Sequence, residues 1–121
     1  MLQRAVQFLN AGDHQHAILE LRSTLEKYPS SAAYVHSLLG FEYLVTDQFV
    51  DAVECFEQAV QMLPHDPANR INFALSLAAA RDFDAAEQQA RRARDLDPAN
   101  PLPERLLAAI ARDREAQGSS K

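Results

Sequence analysis

The groups in this 121-residue chain that could do chemistry are few and far apart. There are four histidines, His14, His16, His36 and His65, and a single cysteine, Cys55. A metal centre on a helix needs imidazoles or thiolates that return to one side, three or four residues apart. His14 and His16 are two apart, so they point to different sides, and neither has a cysteine nearby. They are read as solvent-exposed residues beside a turn. His36 falls in an apolar packing pattern, and His65 follows Pro64 in a loop. Cys55 adjoins Phe56 on a helical pattern and reads as a partly buried small residue rather than a nucleophile. The carboxylates of DLDPANP (95–101) recur as LPHDPAN (63–69), so they belong to a repeated helix-ending turn. There is no glycine-rich phosphate loop, no nucleophile elbow and no metal motif. No catalytic residue, metal or cofactor is expected, and the chain is read as non-enzymatic.

The charged residues are unevenly placed. From Ser31 to Asn69 there is no Lys or Arg, while Glu42, Asp47, Asp51, Glu54, Glu57 and Asp66 fall in that stretch. Beyond it Arg91, Arg92 and Arg94 cluster. The ordinary reading is solvated outer helix faces. The alternative is a secondary electrostatic docking surface in which Arg91 and Arg94, three apart, reach one partner. The net charge of −5 and the lack of aromatics among these arginines argue against nucleic acid. No apolar stretch is long enough to span a membrane, so no membrane insertion is expected. The N-terminal residues show no secretory pattern, and a lone cysteine makes no disulfide framework. The cytoplasm is the simplest setting, unless the sequence is a piece of a longer or exported protein.

The elements that carry these residues repeat. DQFVDAVECFEQAVQMLP (47–64) and RDFDAAEQQARRARDLDP (81–98) align at a shift of 34, with Phe49 on Phe83, Ala52 on Ala86, Ala59 on Ala93 and Pro64 on Pro98. Upstream, Gly40 falls on Ala74 and Leu39 on Phe73. A third copy, AGDHQHAILELRSTLEKYP (11–29), precedes them with one extra residue near Ser30–Ser31. A period near 34 belongs to stacked helical units rather than to one closed core. Each unit reads as two helices joined by a short polar turn, the second helix ending at Pro29, Pro64 or Pro98. Gly40, Ala52, Ala59 and their counterparts Ala74, Ala86 and Ala93 allow close helix contact. Leu39, Tyr43, Phe56, Phe73, Leu77 and Leu96 fill the space between.

These residues resemble the tetratricopeptide repeat family. Leu39, Gly40, Tyr43, Ala52, Phe56, Ala59 and Pro64 carry the match in the middle unit, and Phe73, Ala74, Leu77, Ala86, Ala93 and Pro98 in the third. His36 and Arg70 depart from it, standing where the family often has an aromatic. Ala90 replaces the large residue seen at Phe56, and Thr24 stands at an expected alanine. The resemblance implies an all-α, right-handed superhelical array of three helix pairs plus a C-terminal capping helix, forming one domain over residues 1–116. The units span about 1–30, 31–66 and 67–100, the cap about 101–116, and 117–121 reads as a disordered tail. Leu102, Leu106, Leu107 and Ile110 share the face by which the cap covers the last unit, with Arg105, Arg112, Asp113 and Arg114 opposite.

The resemblance also implies that the first helix of each unit lines a concave groove. Its expected surface is Leu2, Val6 and Leu9, then Tyr34, Phe41, Leu44 and Val45, then Ile71 and Leu75. Helical spacing agrees. The middle first helix is apolar nearly all round, interrupted by His36, Ser37 and Glu42, and nothing else in the chain is available to cover its second face. One family type grips a peptide carboxylate with Lys, Asn and Arg. The matching positions here are Leu2, Val6, Leu38, Ala68 and Asn72, so that clamp is absent. The expectation is a protein-interaction scaffold or chaperone-like adaptor whose partner is a protein or peptide with an apolar helix or extended segment. The alternatives are a homo-oligomer through the same groove, or a docking module of a larger protein or enzyme.

Overall fold

The computed structural model describes residues 2–119. It is all-α among those residues: α1 (Gln3–Asn10), α2 (His14–Lys27), α3 (Ala32–Val45), α4 (Phe49–Met62), α5 (Pro67–Ala79), α6 (Phe83–Leu96) and α7 (Leu102–Ser119), with a 3-10 turn at Pro29–Ser31. Consecutive helices pack in pairs, α1 on α2, α3 on α4 and α5 on α6, and each pair docks on the next, with α7 closing on α5 and α6. Along one side α3 touches α5 and α5 touches α7, whereas α1 packs against α2 alone. The cap is longer than expected. Residues 117–119, read as tail, continue α7, while Met1, Ser120 and Lys121 lie outside the described residues.

The turns explain the periodicity. After each first helix the chain makes the same bend, with a left-handed residue at Gly12 (φ 71°), Asp47 (φ 60°) and Arg81 (φ 67°). In each bend the next amide reaches five residues back: Asp13 N–H to the Phe8 carbonyl at 2.9 Å, Gln48 to Tyr43 at 2.7 Å, and Asp82 to Leu77 at 2.9 Å. That 6→1 bond satisfies a carbonyl the ending helix would leave orphaned. The following residue then caps the second helix. The Asp13 and Asp82 carboxylates accept from the His16 and Ala85 amides, but Gln48 makes no such bond and donates to Thr46 Oγ1 instead. The second helices stop because a residue before proline is pushed out of the helical region. Tyr28, Leu63 and Asp97 accordingly sit at φ −133°, −132° and −143°.

Packing inside each pair rests on one small residue of the first helix set against one residue of the second. At Gly40 an added Cβ would lie 2.6–2.8 Å from three Phe56 ring carbons, so hydrogen is the only substituent that fits beside that ring. The counterparts are Ala5 with Leu21 and Ala74 with Ala90, all buried. Where the first helix gains a methyl, the second loses an aromatic ring. The core divides into two clusters. One joins α1, α2 and α3 through Ala5, Ile18, Leu21, Val35 and Leu39, with Cys55 from α4. The larger one joins α4 to α7, with Phe56, Phe73, Leu77, Phe83 and Ile110 among its members. Tyr43 packs against both.

Two stability outcomes follow from this geometry. Gly40→Ala should cost about 1–3 kcal/mol by overpacking against Phe56. Adding Phe56→Leu, which reproduces the Ala5–Leu21 pairing, should recover most of it. Urea unfolding of the four proteins of that cycle checks this, and strictly additive costs would refute the shared space. Gln48→Asp should add about 1 kcal/mol by supplying the cap that Asp13 and Asp82 already provide. An unchanged urea midpoint would mean that the bond between Gln48 and Thr46 is worth as much as the cap.

Candidate functional site

The surface that stands out is on α3. Tyr34, Leu38, Phe41 and Val45 follow one another at steps of four, three and four, so they form a line down one side of the helix. Tyr34 and Val45 are each 61 % exposed and Phe41 is 42 % exposed. The opposite faces of the helix are in use, with Val35, Leu39 and Gly40 buried in the packing. Phe41 is held from below, its ring edge-on to Phe56 at 5.3 Å between centroids. On the neighbouring α5 the same line carries Ala68, Asn72, Leu75 and Ala79, of which Leu75 is 41 % exposed. Leu38 within this line packs against the smaller core, and the exposed Tyr34, Phe41, Val45 and Leu75 make an apolar strip across α3 and α5 that no described residue covers.

Some expected groove residues lie elsewhere. Ile71 is buried, with only 9 % exposed, and belongs to the packing rather than the groove surface. It is four residues from Leu75, a helix rotation of about 40°, enough to take it below the surface. Leu44, three residues from Phe41 on α3 and rotated from it by about 60°, packs against the larger core. On α1, Val6 is 44 % exposed, while Leu2 and Leu9 are half-buried and Leu2 joins the smaller core. Because α1 contacts α2 alone, the strip is contiguous over α3 and α5, and the α1 residues stand apart from it.

Polar side chains near the strip are largely engaged. The single Ser37 hydroxyl proton is shared between the Ala33 carbonyl at 3.2 Å and Asn69 Oδ1 at 3.3 Å, and Asn69 Nδ2 donates to the Ala59 carbonyl at 3.5 Å. Glu42, expected among the polar interruptions of α3, is buried, and its carboxylate meets His14 Nδ1 at 2.5 Å. His14 is thus a contact between units rather than a free surface residue. His16 matches expectation more closely, sitting exposed against Asp13 with its ring stacked on Phe8.

The arginine cluster is mostly neutralised from within the chain. Arg91 pairs with Glu87, and Arg94 pairs with Glu104 at 3.2 Å. Arg114 holds Asp84 and Glu87 at 2.9 and 3.0 Å. Side-chain hydrogen bonding to Arg114, with help from Arg91, keeps the Glu87 carboxyl below its ordinary range. Of Arg91, Arg92 and Arg94, two are thus paired with carboxylates on α6 and α7.

The 34-residue step also reaches α7. A step of 34 from Ile71 and Ala78 leads to Arg105 and Arg112 on α7, and from Ala68 to Leu102. All three are exposed. α7 therefore continues the series of first helices as well as capping the last unit. That repeat arithmetic was the available signal, and the apolar face of α7 concealed it.

Other reactive groups offer little. Burial pushes the Cys55 thiol up to about 11, assisted by Asp51 and Glu54. Burial also lowers the basicity of His36, whose Nδ1 is enclosed without a hydrogen-bond partner among the described residues. Beside it lies an outer cleft of about 440 Å³ between α2, α3 and α4, walled by Ile18, Leu19, Leu39 and Tyr43. It opens where the family often has an aromatic and this chain has His36. No group of three metal-ligating side chains occurs among the described residues. No helix there is long and apolar enough to cross a membrane.

With this geometry the comparisons agree. Residues 46–110, more than half of the chain, match the family described as tetratricopeptide repeat. The chain belongs to the tetratricopeptide repeat family. Solved structures share the fold at low identity. The first tetratricopeptide domain of Spaghetti (RPAP3), bound to an HSP90 peptide SRMEEVD, is 15% identical with a TM-score of 0.84, over 93% of this chain and 89% of that one. The second such domain of human RPAP3, in complex with an HSP70 peptide SGPTIEEVD, is 16% identical with a TM-score of 0.82, over 90% of each chain. MamA from Desulfovibrio magneticus is 20% identical with a TM-score of 0.85, over 97% of this chain and 66% of that one. The search of curated proteins found no match.

The tetratricopeptide packing of Cys55 sets a pH dependence. The folded thiol stays protonated to about 11, whereas an unfolded thiol ionises near its ordinary value of 9.0. Above pH 9 the unfolded state therefore binds fewer protons, and stability falls as pH rises. The slope approaches about 1.4 kcal/mol per pH unit until the folded thiol also ionises. Urea midpoints of wild type and Cys55→Ala between pH 8 and 11 check this. The alanine variant should lack that component of the slope, and parallel curves would refute it.

Proposed function

We propose that this chain is a non-catalytic adaptor or chaperone-like scaffold that holds an apolar segment of a partner protein, helical or extended, in its concave groove. The observation that carries this reading is the uncovered strip of Tyr34, Phe41, Val45 and Leu75 on adjacent helices. Isolated exposed leucines need no explanation, but aligned aromatic and aliphatic side chains on a concave surface are the usual anchors of an interface. The RPAP3 domains, whose solved complexes contain acidic peptides, support a peptide or protein partner for this fold. Their ligands differ in chemistry from the groove seen here. Leu38 and Ala68 stand where a carboxylate clamp would need cations, so apolar contact replaces charge as the source of affinity.

The test is affinity capture from host lysate with wild type beside Phe41→Glu/Leu75→Glu, read by mass spectrometry, with circular dichroism confirming equal helicity. A protein retained by wild type and lost by the double variant is the expected outcome. Identical retention by both would remove the groove as the site. A mass that doubles with concentration in wild type alone would assign the strip to self-association instead.

A further inference from the structure

We propose that the outer cleft between α2, α3 and α4 is a second binding site, which takes an arginine side chain from a basic segment of a partner protein. The cleft shares no residue with the strip on α3 and α5, so this site stands apart from the groove reading. Its walls suit a long side chain with a charged end. Ile18 and Leu39 are buried in its floor, Tyr43 is half-buried, and Leu19 is exposed on its rim. Its volume of about 440 Å³ lies in the range of sites that hold a small ligand. The charges facing it are Arg22 from α2 and Asp51 and Glu54 from α4, and an adjoining depression adds Glu57. Three carboxylates against one guanidinium leave two negative charges in excess. All three carboxylates are exposed, and none makes an ion pair among the described residues. Arg22 donates to the Tyr43 hydroxyl, which with its charge opposes the rise that burial gives the phenol. The other polar groups carry no fixed charge: Gln15, Gln48 and Gln58, with Gln48 donating to Thr46 Oγ1, and His36, whose basicity burial lowers.

The next interval of the array shows what fills such a space. A step of 34 carries His36 to Arg70 and Cys55 to Gln89. Arg70 there bridges the end of α4 to α6. Its Nη1 donates to Gln89 Oε1 at 2.9 Å, and its Nε and Nη2 donate to the Pro64 carbonyl at 3.2 and 3.1 Å. Between α2 and α4 that resident arginine is missing, and the shorter His36 and Cys55 leave the space open. The wall changes in the opposite sense, since Asp51 and Glu54 stand where Ala85 and Gln88 stand one step on. The interval without an internal arginine is thus the one whose receiving wall is acidic. An arginine stem laid on Ile18 and Leu39 would bury its methylenes and leave its charged end at the rim. Guanidinium is planar, weakly hydrated and able to stack on a ring such as Tyr43, which an ammonium does less well. A metal ion would leave the apolar floor unused, and no group of three metal-ligating side chains occurs among the described residues. One arginine offsets half of the excess charge, which favours further Lys or Arg beside it in the partner.

The experiment is selection of a displayed library of random 12-residue peptides on the whole chain. Peptides held by His36→Arg/Cys55→Gln, which copies the next interval and fills the cleft from within, are removed first. Binding of the remainder is then compared on wild type, on Asp51→Asn/Glu54→Gln and on Phe41→Glu/Leu75→Glu, with circular dichroism and thermal melts checking each fold. Should the filled variant not fold, Asp51→Asn/Glu54→Gln takes its place in the clearing step. Arginine-containing binders are expected, lost on Asp51→Asn/Glu54→Gln and kept on Phe41→Glu/Leu75→Glu. Replacing the shared arginine by citrulline, which keeps the shape and removes the charge, should weaken binding at least about tenfold by fluorescence anisotropy. Equal affinity of the citrulline peptide, or binders without enriched arginine, would overturn the arginine occupant. Retention on Asp51→Asn/Glu54→Gln, or no enrichment over background after clearing, would overturn the cleft as a site. A wild-type mass that doubles with concentration and stays single in Asp51→Asn/Glu54→Gln would overturn a separate partner in favour of a second copy.

Discussion

The structure depends on how closely the two helices of each unit can approach. Ridges of one helix settle into the grooves of the other only where a small side chain leaves room. In this chain that room is allotted jointly by two positions, one on each helix. Gly40 and Phe56 are the tightest case, since the ring occupies the space a Cβ would need. Ala5 with Leu21 and Ala74 with Ala90 divide the space differently, trading ring for methyl. Because each pair sets its own spacing, it also sets where its second helix receives the next unit. The superhelix is built from these local distances, as expected of an array in which each unit touches only its neighbours.

The same logic accounts for the unequal firmness of the packing. The larger cluster runs through α4 to α7 and contains three buried phenylalanines, Phe56, Phe73 and Phe83. The smaller one, built mainly from α1 to α3, contains none. At the boundary, His36 takes the place of an aromatic and leaves an outer cleft with an unsatisfied ring nitrogen beside it. The buried Glu42 and its partner His14 supply a polar contact at the same boundary. A charged or partly charged pair is a weaker adhesive than apolar packing of similar volume. The first unit is therefore the part of the array with the least apolar attachment.

Much of this fold was legible in the residues. Pro29, Pro64 and Pro98 mark where second helices stop, and the small residues at a 34-residue step mark where helices meet. The left-handed turn position was legible only at Gly12. Asp47 and Arg81 adopt the same backbone, and Arg81 in particular is a side chain no propensity would place there. Candidate site residues were legible as a set of apolar positions but not as exposed or buried. Ile71 and Leu75 follow the same periodicity, and the rotation between them decides which reaches solvent. The Glu42–His14 contact joins residues 28 apart in the chain, which local pattern does not connect. The neutralisation of Arg94 by Glu104 likewise needed the docking of α7 on α6.

The apolar strip is a feature that folding does not require. α3 meets α2, α4 and α5, and those contacts use Val35, Leu39, Gly40, Tyr43 and Leu44. Among the described residues no later element returns to cover the remaining side of α3. Tyr34 and Val45 gain little from water exclusion within the chain, and polar residues there would leave every packed face intact. Exposed aligned apolar side chains instead carry a cost in solubility, which α5 largely avoids by using Ala68 and Ala79 at the equivalent positions. The contrast between α3 and α5 shows that the fold accepts small residues along this line. The large ones on α3 are therefore apolar surface beyond what the packing uses, with Phe56 beneath Phe41 giving that surface a rigid backing.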